Sequence, residues 1–374
     1  MSKPTLSAIK SAEPLPKKNG YTIIRASDVK IRPKQWVWEG HLLRGALELT
    51  TGIPGLGKSQ AQIHMVACVT AGLMWPDGAK GMQPANVVML TAEDTLDQEV
   101  VPRLIAAGAD LARVRILQVI RKDGQDRQFW LGEDLVTLAE VVKEVGNVAL
   151  ITVDPITAYM GAKIDSHKST EVRSQLGPLK DFAERSNVAI SAITHPPKSA
   201  SQRAIDHFIG SQAFIAACRI GHVCIEEVKD DEDKSPTGRV LFANAKNNAH
   251  PRMPTLAYRV EAIAVGQDEA GTVITAPRVL FDKAPVNITA DEAVGRANGG
   301  GTKAKKRGAQ ADVQDFLESE LSSGEWVPYQ DIWAKAEKLG FSYEQLRTAR
   351  LRLKVETKQM RGGWHWQWPQ ETFI

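Results

Sequence analysis

The stretch Gly52-Ile53-Pro54-Gly55-Leu56-Gly57-Lys58-Ser59 limits what this chain can fold into more than any other, because it satisfies G-x-x-x-x-G-K-[ST] without a mismatch. The spacing has a physical reason. Glycines let successive backbone N–H groups turn inward around a polyphosphate with no Cβ in the way, and a following helix presents its positive end to the same anion. Lys58 is then expected at the β- and γ-phosphates of ATP and Ser59 on Mg²⁺, with Gln60 continuing the loop into its helix. The flanks supply the required context: Gly45 to Thr51 reads as a short strand and Gln60 to Ala71 as an apolar helix. A glycine-rich surface turn needs neither neighbour.

Composition narrows the class. A net charge of only +3, with 43% hydrophobic and 24% charged residues, describes a globular chain able to bury a sizeable core, without an overall field for nucleic acid. Any such surface must come from local clusters. Cys68, Cys218 and Cys224 lie in apolar stretches and form no C-x-x-C pair, which argues against a zinc site or a disulfide framework and for a reducing cytoplasm. No apolar run approaches the roughly 18 residues of a membrane helix, and the Lys- and Pro-bearing N-terminus has no signal-peptide core, so a soluble cytoplasmic protein with no membrane partner is expected.

Residues 1–20 have little to bury and are expected to be a disordered tail. Trp36 and Trp38 precede the first core strand, where they cover the edge of the sheet or stack on a base. Residues 86–91 read as a buried strand ending in Ala92-Glu93-Asp94. Ligands of parallel sheets bind outside the carboxyl ends of the strands, which makes Glu93 the candidate general base for the water that attacks the γ-phosphate. Asp94 is the other candidate, and the pair could instead cap the next helix. Residues 121–132 read as loop. Residues 147–154 form a continuous apolar strand closed by Asp154, placed to reach Mg²⁺ through water and Ser59. Residues 154–177 read as an exposed loop and 179–186 as a helix. A third buried strand, 188–195, ends at His195, where a side chain can sense the γ-phosphate and pass the contact to the basic loop carrying Lys198 and Arg203. Strands at 222–228, 239–245, 256–263 and 273–281 then give a β-rich flank, with an acidic tip at 230–234.

With these motifs in order, residues from about 20 to 285 resemble the RecA-fold ATPases, and among them the RepA-like hexameric replicative helicases of plasmids and phages. Trp38-Glu39-Gly40, Ala92-Glu93-Asp94, Val153-Asp154-Pro155, Thr194-His195-Pro196-Pro197-Lys198 and Gly210-Ser211 carry the likeness. The resemblance implies an α/β fold with a mostly parallel sheet and a ring in which ATP lies between subunits, Glu93 acting as base, Asp154 on magnesium, His195 as sensor and a neighbour's basic residue completing the site. Related ring helicases carry Lys-x-Arg where this chain has Lys246-Asn247-Asn248, so the arginine finger is missing from its place; Lys246, Arg252 and Arg219 are the candidates to substitute, and without a substitute turnover is expected to be low.

Residues 287–310 read as a flexible basic linker, and 311–370 as three short helices and a hairpin, a small winged-helix-like domain. Ser342-Tyr343-Glu344-Gln345 fits a capping box opening the third helix, on which Arg347, Arg350 and Lys354 fall near one face suited to phosphate contact with duplex DNA, a protein-docking module being the alternative, while the hairpin tryptophans are expected in the core. The expected division is a tail at 1–20, an ATPase domain at 21–286, the linker, and the small domain. The function it points to is an ATP-driven ring acting on single-stranded DNA. An ATP-gated regulator with slow hydrolysis is the second reading, and a metabolic kinase, for which no acceptor site is recognisable, the last.

Overall fold

The computed structural model describes residues 24–122, 125–161, 164, 168–196, 203–208, 212–229, 235–298, 313, 316–322, 324–338, 341–360 and 363–369. The N-terminal tail, Lys198, Gly210-Ser211, the acidic tip at 230–234 and the basic stretch 299–310 lie outside them.

Strands that read as continuous apolar runs can only be stable with both faces covered. They follow a short antiparallel pair, β1 (Trp36–Trp38) with β2 (Leu42–Leu43), and form the middle of a nine-stranded sheet among the described residues. Its parallel part comprises β3 (Leu47–Thr51), β4 (Asn86–Thr91), β5 (Val114–Ile116), β8 (Val148–Asp154), β9 (Ala189–Ile193) and β10 (Ile220–Val228). The antiparallel flank is β11 (Pro236–Asn247), β12 (Leu256–Gln267) and β13 (Val273–Phe281). The spatial order is β13-β12-β11-β10-β3-β9-β8-β4-β5. The phosphate-loop strand β3 therefore sits between β10 and β9, with the β-rich flank continuing beyond β10.

One face is covered by α1 (Lys58–Ala71) and α2 (Val101–Ala107), which pack with Trp38, Trp75 and Phe242. The other carries α3 (Leu135–Val145), α4 (Ser169–Ser186), α5 (Gln212–Ala217) and α6 (Ala290–Ala297). Of the two readings of Trp38, the structure shows the packing one: the indole is buried, stacks on His41 and Trp75 with centroids 3.9 and 4.9 Å apart, and donates to Asp77 at 3.0 Å.

Several expectations are corrected. The stretch read as loop at 121–132 contains a short antiparallel ladder, β6 (Ile120–Lys122) with β7 (Gln125–Arg127). Helix α4 starts at Ser169, inside the span read as loop, because Val172 and Leu176 share the buried face with Leu179 and the internal Pro178 does not end it. The first part of the span read as linker from 287 is instead ordered against the sheet. Thr289 and Glu292 form a capping box for α6, whose Ala293 and Val294 pack on the sheet, and Thr255 Oγ1 donates to the Ile288 carbonyl at 2.6 Å.

Near the C-terminus, helices Tyr329–Lys338 and Tyr343–Arg352 accompany a three-stranded sheet of β14 (Val327–Pro328), β15 (Glu356–Met360) and β16 (Gly363–Gln367). They share an apolar cluster of their own that includes Leu317, Ile332, Leu346 and Trp366. The Ser342 capping box is present as expected. Two details differ from expectation: Trp364 is 54% exposed, and Lys354 lies past the helix end with φ +54°, so it does not continue the face of Arg347 and Arg350.

Candidate active site

The cleft at the carboxyl ends of β3, β4, β8 and β9 is assembled from the loop outward. Strand β3 is fully buried and delivers Gly52 against β10, where a Cβ at Gly52 would come within 2.6 Å of the Cys224 carbonyl oxygen, so the chain tolerates no side chain there. Gly57, with φ +73°, turns the loop into α1 in a left-handed conformation that a side chain would strain. Ile53, Pro54 and Gly55 are exposed, and Leu56 is buried, which anchors the loop by its middle. From the far side, Tyr258 Oη donates to the Leu56 carbonyl at 2.6 Å.

Pro54, Gly55, Gly57, Lys58, Ser59, Gln60, Glu93, Asp154 and His195 line this one cleft of about 330 Å³. Lys58 Nζ donates to the Ile53 carbonyl at 2.9 Å, folded back across the loop, and burial holds its ammonium below the ordinary lysine range against the pull of Cys224, Asp154 and Glu93. At the tip of β8, Asp154 accepts from the Ser59 hydroxyl, and burial pushes its carboxyl up to about 6, assisted by Asp94 and Glu93 and opposed by the Ser59 bond and Lys58. The acidic pair after β4 is split. Asp94 pairs with Arg103 at 2.5 Å, whereas Glu93 is exposed to the cleft and makes no ion pair among the described residues.

His195 stands two residues beyond β9. Burial, followed by the Lys58 charge, holds its imidazole below the usual histidine range despite Glu93, and its buried Nδ1 has no hydrogen-bond partner among the described residues. These observations fit ATP with Mg²⁺. The ammonium of Lys58, the open glycine turn and the unpartnered His195 nitrogen suit phosphate oxygens, and the hydroxyl-carboxylate pair of Ser59 and Asp154 is the oxygen donor set that a hard cation takes. Bound Mg²⁺ would supply charge neutralisation across the phosphates.

Residues 11–201, just over half of the chain, match the family described as AAA domain. The chain belongs to that family. No curated protein matches it. Among solved structures, one titled "ATPase Domain of G40P" aligns with a TM-score of 0.43 at 12% identity, covering 57% of this chain and 81% of that one.

In this AAA domain protein, Lys58, Ser59, Glu93, Asp154 and His195 all fall within the matched span, and the structure brings them together. Sequence reasoning missed Arg103, which lines the same cleft, pairs with Asp94 and Glu99 and leaves its buried Nε without a partner among the described residues. It also missed Tyr258 and Val260 of β12, beyond the matched span, which brace and wall the loop. The spacing of Arg103 on the helix after Glu93 was the one available signal; nothing local marks Tyr258.

The candidates for a trans-acting group are dispersed. Lys246 is committed within its own subunit, its ammonium donating to the carbonyls of Ile215 and, at 2.8 Å, Cys218, around the end of α5. Arg219 is exposed at the start of β10, the end of the sheet opposite the phosphate loop. Arg252 is exposed beside a second cleft with Asn244 and Thr255. Arg203 is exposed and precedes a short 3-10 helix, Ala204–His207, from which the His207 carbonyl accepts the Thr51 hydroxyl of β3 at 2.8 Å. Among the described residues, no helix is long and apolar enough to cross a membrane.

Proposed function

We propose that this chain is an ATP-hydrolysing motor of the RepA-like kind that assembles as a homo-oligomeric ring, six subunits in the simplest case, and acts on single-stranded DNA in the cytoplasm during replication of a plasmid, phage or other mobile element. The observation that carries the reading is the meeting of Lys58, Ser59, Glu93, Asp154 and His195 in one cleft. Glu93 takes the proton of the attacking water as the bond between the γ-phosphorus and the bridging oxygen breaks. Asp94 cannot compete for that role while Arg103 holds it. His195, kept neutral by burial, reports the state of the γ-phosphate to the segment that follows it. The Thr51 contact to His207 offers that segment a second tie to the phosphate-loop strand, and Arg203, with Lys198, grips DNA phosphates from it. A neighbour's Arg252 or Arg219 completes the site. Because α6 packs on the core, the ATPase domain runs to about residue 298, followed by the linker and a small winged-helix domain that contacts DNA through Arg347 and Arg350.

The internal commitment of Lys246 favours a second reading, an ATP-gated DNA- or partner-binding regulator with slow turnover, since the residue nearest the expected finger position is not available to a neighbour. One experiment separates the two. Steady-state ATPase of the wild type and Glu93→Gln is measured with and without single-stranded DNA, alongside the mass of the ATP-bound assembly. Several-fold stimulation, an inactive Gln variant and a ring mass support the motor. Slow hydrolysis indifferent to DNA in a monomer overturns it.

A further inference from the structure

A separate cleft, of about 260 Å³, lies far in sequence from the nucleotide site and from the one beside Arg252, between the helix Tyr343–Arg352 and the β15-β16 hairpin. Its chemistry is unusual for a space left by packing. Tyr343 and Trp364 line it and are 57% and 54% exposed, an expensive way to leave two large rings in a small module unless something covers them. Tyr329 and Trp366, 5.0 Å apart, lie deeper. Arg347 and Arg350 complete the lining, to which no carboxylate belongs among the described residues. Arg350 is half-buried, with its guanidinium 5.6 Å over the Trp366 ring.

From this arrangement we infer that the cleft binds single-stranded DNA by taking one unpaired base between its aromatic rings, with the adjoining phosphate on Arg347. Aromatic faces stack any base regardless of sequence, and the arginines match the polymer's charge. A base held in a duplex cannot enter such a cleft. The arginines also point away from duplex reading, because side chains that read the major groove must project from an open helix face, and Arg350 instead lies against the hairpin. The volume sits just below the range of about 300–1,000 Å³ common for drug-sized ligands, which suits one ring system and little else.

The inference deepens the DNA-binding part of the proposed function and is tested apart from it. A 15-nucleotide oligo(dT) carrying 5-iododeoxyuridine is photocrosslinked to the full-length protein without ATP, and the adduct is mapped by mass spectrometry. In parallel, the affinities of labelled oligo(dT) and of a duplex are measured for wild type, Trp364→Ala, Trp364→Phe and Arg347→Ala, with thermal unfolding as the control for folding. The expected results are an adduct on Trp364 or Tyr343, about tenfold weaker oligo(dT) binding for Trp364→Ala and recovery in Trp364→Phe. Arg347→Ala should flatten the salt dependence by about one phosphate contact. Adducts confined to the core, unchanged affinity in Trp364→Ala, loss of duplex binding alone, or full competition by free thymidine monophosphate at equal concentration would each overturn it. DNA-stimulated ATPase is a separate readout, so the motor reading and this one can fail independently.

Discussion

Arg103 Nη1 and Asp94 Oδ2 lie 2.5 Å apart at the mouth of the nucleotide cleft, and this pairing separates two adjacent carboxylates of which the sequence favours Glu93 as the base but leaves Asp94 open. The Asp94 oxygen is occupied by the guanidinium and not free to orient a water, whereas its neighbour Glu93 faces the same cleft without such a partner among the described residues.

The two variants should therefore behave differently. Glu93→Gln is expected to lower kcat by roughly 10²-fold or more while ATP binding changes little, the size of effect that removal of a general base produces. Asp94→Asn should lower it less, through release of Arg103 into the cleft. Steady-state hydrolysis together with fluorescent-nucleotide titration checks both, and the reverse ranking would move the base to Asp94.

Tyr258→Phe tests how the phosphate loop is held. The phenol donates to the buried Leu56 carbonyl at 2.6 Å, and its loss leaves that oxygen unpaired at a cost of about 1–3 kcal/mol. Reduced stability in chemical denaturation is expected, with a matching loss of ATP affinity because the loop is anchored at Leu56. Unchanged nucleotide affinity would show that the loop holds its shape without β12.

Acid should unfold the nucleotide-free, metal-free protein through its histidines. Burial holds His41 well below the ordinary value of 6.5 and His64 at about 4, so the unfolded chain binds protons near pH 6.5 that the folded chain refuses. Their contribution is fully present above pH 6.5 and is lost below it, at up to about 1.4 kcal/mol per pH unit for each. Asp154 acts in the opposite sense: with its folded value raised to about 6 from 3.8, the fold takes up a proton between those values and gains stability there. The net fall is expected to set in near pH 6.5 and to continue below pH 6 at about the slope of a single histidine, because Asp154 offsets one of the two. Denaturation midpoints across that range check it, and His64→Gln should reduce the slope.

What the sequence could and could not show follows from the range of the forces involved. The phosphate loop, the strands ending in Glu93, Asp154 and His195, and the Ser342 cap are local patterns, and the structure contains each of those elements. Glu48 illustrates the opposite case. A glutamate inside β3 reads as a solvent-facing position of a strand, yet it is buried, accepting from Thr50 and Ser191 at 2.7 and 2.6 Å and contacting His222 at 2.9 Å. Two of its three partners, Ser191 and His222, come from β9 and β10, more than a hundred residues away, so no local window reveals that the buried carboxylate is satisfied. Helix α4 was obscured for a different reason. Its first turns are polar and it contains Pro178, and only packing of Val172 and Leu176 on the sheet makes those turns helical.

The question of the trans-acting residue reduces to distinguishing a structural cation from a catalytic one. Lys246 ties the carbonyls of Ile215 and Cys218 at the end of α5, and Lys246→Ala is expected to cost about 1–3 kcal/mol of stability by leaving them unpaired. Arg252 and Arg219 are exposed, and replacing either by alanine should leave stability within about 0.5 kcal/mol. If one of them reaches a neighbour's phosphates, that variant alone should lose on the order of 10³-fold or more in kcat. Mixing decides the matter. An arginine variant combined with Lys58→Ala subunits should regain activity at the interfaces where an intact phosphate loop meets an intact arginine, which a defect confined to one subunit cannot do. Absence of recovery with either arginine, together with full activity of each variant alone, would leave this ATPase without a finger and favour the slow, ATP-gated reading.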